Sequence, residues 1–162
     1  FTVRALYEST SLEQAISAIR RAKRAIPANI MLATPQGPAD LEVTIDDVYL
    51  LRDHALVTHT NHCLHPELAP VNDNFPELIE SGPRLRRIDQ LLSERPISVK
   101  RVQSALRDHQ GYPYSICRHA NDHPSTGFWQ SVFSVVIEAS AGRMHVSRGN
   151  PCQNDYEVYS LN

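Results

Sequence analysis

The chain has 162 residues, 41% of them hydrophobic and 21% charged, which suits a domain with a buried core and excludes a disordered segment. Its 16 basic and 18 acidic residues leave a net charge of -2, so no global field draws it to nucleic acid or to an anionic membrane. No apolar run approaches the ~20 residues that cross a bilayer, and a soluble, intracellular protein is expected. The ending Ser160, Leu161, Asn162 is not a peroxisomal address of the SKL type.

The opening FTVRALY sets Val3, Leu6 and Tyr7 on one side, as the tail of a helix does. A chain that starts inside an element, without an initiating methionine, is expected to be a processed subunit or a fragment. In ESTSLEQAISAIRRAKRAIP, Ser11 and Gln14 read as a capping box. Leu12, Ala15, Ile16, Ile19 and Ala22 then recur at helical spacing until Pro27 forbids continuation. Beyond Pro27 the pattern shortens to β-rich runs: NIMLAT, a turn at PQGPAD, then LEVTID, YLL and ALVTHT, an antiparallel meander.

Helical spacing returns from Glu77 to about His109. Leu78, Leu85, Ile88, Leu91 and Leu92 mark one helix, and Val99, Val102, Ala105 and Leu106 mark a second that begins near Ser98. Arg84, Arg86, Arg87, Arg95, Lys100 and Arg101 crowd this region. Acids are interleaved and no aromatic platform accompanies them, so they read as a solvated face rather than a phosphate-binding one. The last third is β-rich: WQSVFSVVIEA, a turn at SAGR, MHVSRG, a turn at NPCQND, and YEVYSL. The run Val132, Val135, Val136, Ile137 predicts a central strand covered on both faces. Together these elements predict one α+β domain over 1–162, with helices laid on antiparallel sheet.

Cys63, Cys117 and Cys152 are odd in number, lie far apart and form no CxxC, which argues against a disulfide framework. The segment ALVTHTNHCLHP concentrates His59, His62, Cys63 and His65, all acceptable zinc ligands. On an extended chain His59 and Asn61 point one way, Thr60 and His62 the other, so they converge only across a tight turn at Asn61. Three readings stand: a metal module built on His59, His62 and Cys63, plain structural histidines, or a strand end that aims the Asn61 carboxamide at a developing oxyanion with His62 in support. The other Cys/His group, Cys117, His119 and His123 in CRHANDH, lacks the spacing of a known zinc module. Arg118 either orients a substrate carboxylate or pairs with a structural acid. Tyr112, Tyr114 and Trp129 either line an apolar acyl pocket or fill core. No base is assigned beside Cys63, which speaks against that thiol as a nucleophile.

Three segments carry a family likeness: YLLRDHALVTHTNHCLHP followed by LAPVNDNFPELIESGPRLRRIDQLL, then GYPYSICRHAND, then WQSVFSVVIEASAGRMHVSRGNPCQNDYEVYSL. In this order they resemble the acyl-coenzyme A:6-aminopenicillanate acyltransferases, or isopenicillin N acyltransferases, within the N-terminal nucleophile (Ntn) hydrolases. The helix SLEQAISAI and the strands around NIMLAT fit as well. The resemblance implies a four-layer αββα sandwich and a zymogen that cleaves itself before a cysteine to give a heterodimer. That cysteine would form a thioester acyl-enzyme, its own α-amino group serving as base. Asn61 inherits the oxyanion role. No cofactor is implied, a coenzyme A thioester entering only as a potential acyl-donor substrate. The implied partners are an upstream segment bearing the nucleophile and a small amide or acyl substrate.

The departures from the family pattern also carry expectations. Position 1 is Phe, and Cys63, Cys117 and Cys152 match no nucleophile segment, so the nucleophile is expected upstream of Phe1. A serine and an arginine of the penicillin-making members fall near Gly127 and Phe128, where an apolar ring cannot contact a carboxylate or phosphate. Another family serine falls at Ala28 or Asn29. A relative with a different amide or acyl donor is therefore expected, with Tyr114, Arg118, Phe128 and Trp129 facing substrate. The rivals are the metal module and a catalytically silent homologue with a structural or binding role.

Overall fold

In the computed structural model, residues 2–53, 55–75 and 80–161 are described. The expected helix positions Glu77 and Leu78 lie outside them. The chain divides into two compact units, Phe1–Pro76 and Glu77–Asn162.

The first unit opens with helices α1 (Thr2–Tyr7) and α2 (Leu12–Arg21). Ser11 caps α2, its Oγ accepting the Gln14 amide at 3.2 Å. Gln14 reaches back not to Ser11 but to Thr10, whose amide and hydroxyl both donate to its Oε1. The helix stops at Arg21, well short of Pro27. Ala22 turns extended, and the Ile19 carbonyl accepts both the Ala22 amide and the Arg24 guanidinium, the latter at 2.6 Å, which closes the helix end.

Strands β1 (Ala28–Thr34), β2 (Gly37–Val43) and β3 (Val48–Arg52) form an antiparallel sheet in that order. Its central strand begins at Gly37, so residues expected in the turn belong to it. Leu41 and Val43 pack with Leu6, Ala15, Ile19 and Val48 into the unit's core. The opposite face of β2 carries Asp40 and Glu42, which are also buried. ALVTHT, expected to be a fourth strand, is not one. Asp53 Oδ1 accepts the amides of Ala55 at 2.7 Å and Leu56 at 3.2 Å, and this Asx turn leads the chain out of the sheet.

The second unit carries α3 (Ser81–Leu91) and α4 (Val99–Leu106), the latter capped by Ser98, whose Oγ accepts the Arg101 amide at 3.2 Å. Strands β4 (Phe133–Glu138), β5 (Arg143–Arg148) and β6 (Glu157–Ser160) make a second antiparallel sheet in that order. The strand expected at the centre is therefore an edge. Only Ser134 and Val136 of β4 are buried, whereas Phe133, Val135 and Ile137 lie on an exposed face. An apolar run reports that both faces avoid charge, not that both are covered within one unit.

Helices combined with two three-stranded antiparallel sheets make this an α+β protein. Among the described residues no helix is long and apolar enough to cross a membrane.

Candidate active site

The segment from Thr58 to His65 leaves the sheet of the first unit and is fastened by one buried carboxylate. Glu42 Oε1 accepts the Leu64 amide, and Oε2 accepts the His65 amide at 3.1 Å. His59 Nε2 lies 3.0 Å from the same Oε1. Two backbone amides and an imidazole thus converge on a side chain that is 4% exposed. Such a carboxylate is held by charge-assisted bonds, and so is the loop it binds.

Protons can be placed around His59 by geometry. Its Nδ1 lies 2.6 Å from the Thr60 carbonyl, which can only accept, so Nδ1 carries a proton. A further proton must lie between Nε2 and Glu42 for those two atoms to bond. Asp40 sits beside this pair, with Oδ2 3.8 Å from His59 Nε2 and Oδ1 accepting from Asn29 Nδ2 at 2.6 Å. Burial pushes the Asp40 carboxyl above its usual range. The Asn29 bond and His59 oppose that shift, and the charge of Glu42 adds to it. Asp40 Oδ2 is buried and has no hydrogen-bond partner among the described residues. A buried oxygen that receives no donor disfavours the charged form, in the same sense as that shift.

The far side of the loop is fixed by Asn72, which treats Cys63 as a strand neighbour. Cys63 N–H donates to Asn72 Oδ1 at 2.8 Å, and Asn72 Nδ2 donates to the Cys63 carbonyl at 2.9 Å. The rings of Tyr49 and His65 meet at 4.9 Å between centroids. Asn61 lies between these anchors and is exposed. His62 is half-buried, with Nδ1 3.3 Å from Thr60 Oγ1. The chemistry available here is an amide donor on a loop whose backbone is fixed on both sides, which is what an oxyanion donor needs before charge develops.

The alternative metal trio of His59, His62 and Cys63 is not gathered. His59 turns to Glu42, and Asn72 holds the Cys63 backbone on the other side. Among the described residues, two groups bring three or more metal-type ligand atoms within 4.8 Å of one another: Asp40, Glu42 and His59, and His109, Cys117, His119 and Cys152.

In the second unit, Tyr114, Arg118, Phe128 and Trp129 come together. The Arg118 guanidinium stands 5.4 Å from the Tyr114 ring centroid and 5.1 Å from that of Trp129, a cation held between two aromatic faces. Phe128 meets Trp129 edge-on at 5.8 Å. Arg118 is buried and ion-paired with Glu80, also buried, through Nη1 and Oε1. Its charge is thus already engaged by an acid of the same unit, as the structural reading of this arginine requires. Tyr114 lines a cleft of about 450 Å³ with Glu80, Pro83, Arg84, Arg87 and Ile116. Tyr112 and Phe128 are largely exposed and Trp129 partly so.

Gly127 shows why a serine has no place there. A Cβ on it would stand 2.1 Å from the Asn121 carbonyl oxygen and 2.5 Å from that of His123. The turn is closed by Asn121 N–H donating to the Gly127 carbonyl at 2.8 Å and Gly127 N–H donating to His123 O at 2.9 Å. Backbone on backbone leaves no room for a side chain.

None of the three thiols is set up as a nucleophile. Burial pushes the Cys63 thiol up, and the Glu42 charge pushes it further. Burial does the same to Cys152, with Cys117 beside it adding to the shift. Cys117 is wholly buried. A reactive thiol needs the opposite, an electropositive and accessible setting.

Several of these groups escaped the sequence reading. Glu42 and Asp40 were visible only as acids two apart in a strand, a pattern that ordinarily marks a wet face. Asn72 gave no signal, since its role depends on a loop closing over nine residues.

The family model for acyl-coenzyme A:6-aminopenicillanic acid acyl-transferase matches residues 1–153 of the chain. No curated protein matches it.

Proposed function

We propose that this chain, which belongs to the acyl-coenzyme A:6-aminopenicillanic acid acyl-transferase family, supplies the oxyanion donor of a cysteine-dependent acyl-transfer or amide-hydrolysis site. The family is Ntn-hydrolase-like and its activity is acyl transfer. In the finer reading, a cysteine other than Cys63, Cys117 and Cys152, on a segment joined to or paired with this chain, attacks the donor carbonyl. The observation that carries it is the Glu42 anchor, which fixes the loop bearing Asn61 from a buried carboxylate.

The steps follow from the groups in play. A thiolate sulfur bonds to the carbonyl carbon, the carbonyl π pair moves to oxygen, and the resulting oxyanion accepts a hydrogen bond from Asn61 Nδ2–H. The α-amino group of the same cysteine takes the thiol proton and returns it to the departing amine or thiolate as the C–N or C–S bond breaks. The thioester then yields its acyl group to an amine or to water through a second oxyanion at the same donor. Arg118 acts as a structural cation locked to Glu80. The raised Cys63 thiol and the buried Cys117 support a nucleophile from elsewhere. The exposed face of Phe133, Val135 and Ile137 fits the further layer that an αββα sandwich would lay upon it.

Trapping tests this reading. The full protein, with its nucleophile-bearing segment, is quenched in acid during turnover of an acyl thioester or amide, and the acylated peptide is identified by mass spectrometry. The expected adduct lies on an N-terminal cysteine. An adduct on Cys63, Cys117 or Cys152, or none with any substrate class, would overturn it.

A further inference from the structure

We infer that His109, Cys117, His119 and Cys152 form a four-ligand site for a zinc ion, with protein donors at all four positions. Their ligand atoms all lie within 4.8 Å of one another, although they come from three separate stretches of the chain. His109 stands just past the end of α4, Cys117 and His119 in the loop that follows, and Cys152 in the turn between β5 and β6.

The three separations around His119 Nε2 are close to those of a tetrahedral zinc site. Zn–S bonds of ~2.3 Å and Zn–N bonds of ~2.0 Å at tetrahedral angles put nitrogen pairs about 3.3 Å apart and nitrogen–sulfur pairs about 3.5 Å apart. The observed separations are 3.1 Å for His109 Nε2 to His119 Nε2, 3.2 Å for His119 Nε2 to Cys152 Sγ and 3.8 Å for Cys117 Sγ to His119 Nε2. Two imidazoles and two thiolates are also the donor types that zinc takes in structural sites.

Hydrogen bonding alone accounts poorly for this convergence. His119 Nε2 faces three heavy atoms at once, yet a ring nitrogen offers either one proton or one lone pair. It can make one good hydrogen bond here, and the other two close neighbours receive none from this nitrogen. A cation at the common centre accepts all four lone pairs. Binding then releases the two thiol protons to solvent as two Zn–S bonds form, with no change of oxidation state.

The surroundings hold the ligands where they are needed. Asn150 Nδ2 donates to Cys117 Sγ at 3.9 Å and to the Arg118 carbonyl at 2.7 Å, linking the Cys117 loop to the turn that carries Cys152. The Cys117 amide donates to the Asp108 carbonyl at 3.0 Å, linking the same loop to the residue before His109. An N–H donor aimed at a ligating sulfur is the outer-shell contact that steadies a bound thiolate. Cys117 is fully buried while His109 is exposed, so an ion enters from the His109 side. With four protein ligands no position stays open for substrate, and the site staples three segments rather than taking part in acyl transfer.

Cys63 provides an internal control for the test. The full chain, purified without a histidine tag, is stripped with chelator and treated with N-ethylmaleimide at increasing zinc, and each cysteine is followed by peptide mass spectrometry. At zinc about 100-fold above Kd the metal-free form falls to roughly 1%, so alkylation of Cys117 and Cys152 slows by about 100-fold. Cys63 keeps its rate. Cobalt in place of zinc gives the intense visible bands of a tetrahedral site with thiolate charge transfer, and zinc abolishes them. Equal rates at Cys117 and Cys152 with and without zinc, or a folded Cys117→Ser, Cys152→Ser chain that binds zinc as tightly as the original, would overturn the inference. Recovery of a native Cys117 to Cys152 disulfide with no zinc bound would do so as well.

Discussion

The carboxylate of Glu42 and the backbone amide of His65 meet at 3.1 Å across 23 residues of sequence, and through them a sheet strand dictates where the Asn61 loop stands. The second carboxylate oxygen takes the Leu64 amide and faces His59, so both oxygens are committed to the loop. This relationship makes Glu42 an anchor of the loop that carries Asn61.

Glu42→Gln keeps the shape and removes one of the two acceptors. One of the Leu64 and His65 amides then faces an N–H2 group instead of an oxygen. The expected cost is about 1–3 kcal/mol of stability, because a buried donor is left unmatched. Misplacing the loop should also lower kcat by about tenfold with little change in KM, since an oxyanion donor acts in the transition state. Denaturant melts and steady-state kinetics of the same variant check both effects. Loss of stability with kcat intact would show that the loop is merely structural.

Asp40 and Asp108 should respond to pH in opposite senses. Burial raises the folded pKa of Asp40, so its contribution is fully present below the unfolded value of about 3.9 and fades as pH rises through the folded value. Asp40→Asn should therefore gain stability relative to the parent as pH rises through that window. Arg87 donates to both oxygens of Asp108, at 3.0 Å and 2.6 Å, and this pairing lowers the Asp108 carboxyl. Its contribution is present above about 3.9 and is lost as pH falls through the folded value. Asp108→Asn should thus be less stable than the parent at neutral pH, the difference closing in acid. Thermal melts across pH on the three proteins check the two signs, and parallel curves would contradict them.

Gly127→Ala forces a methyl onto the carbonyl oxygens of Asn121 and His123 within the Asn121 to Gly127 turn. Overpacking of this kind typically costs about 1–3 kcal/mol, and backbone neighbours yield less readily than side chains. A fall in Tm of several degrees is expected, with faster amide exchange confined to that turn. The same contact leaves no room for a serine side chain at this position. An unchanged Tm would mean that the turn opens without cost and that the glycine records no constraint.

Local signals carried much of the fold. The helices after Ser11 and Ser98 were legible because a cap and a 3.6-residue apolar period coincide, and the meander from Ala28 to Arg52 because strands and turn residues alternate. Legibility failed where distant packing decides. ALVTHT has strand composition, yet one Asp53 side chain turns it away from the sheet. The apolar run before Glu138 sits on an edge strand because β5, not β4, pairs on both sides.

At the candidate site, Asn61 is proposed from its neighbours in sequence, whereas Glu42 has no such local signal, since a carboxylate grip on two amides exists only after the chain has folded. The Cys/His set shows the same limit. Cys117 and His119 stand together in sequence, but His109 and Cys152 join them only in space.

The central claim is that the Asn61 carboxamide stabilises the oxyanion, and kcat of Asn61→Ala in the complete, processed protein tests it most directly. Asn61 is exposed, so the variant should keep its fold, which circular dichroism and Tm verify. The predicted result is a fall in kcat of roughly 10²–10³-fold with KM nearly unchanged. A variant that folds and turns over substrate at the parent rate would contradict the claim.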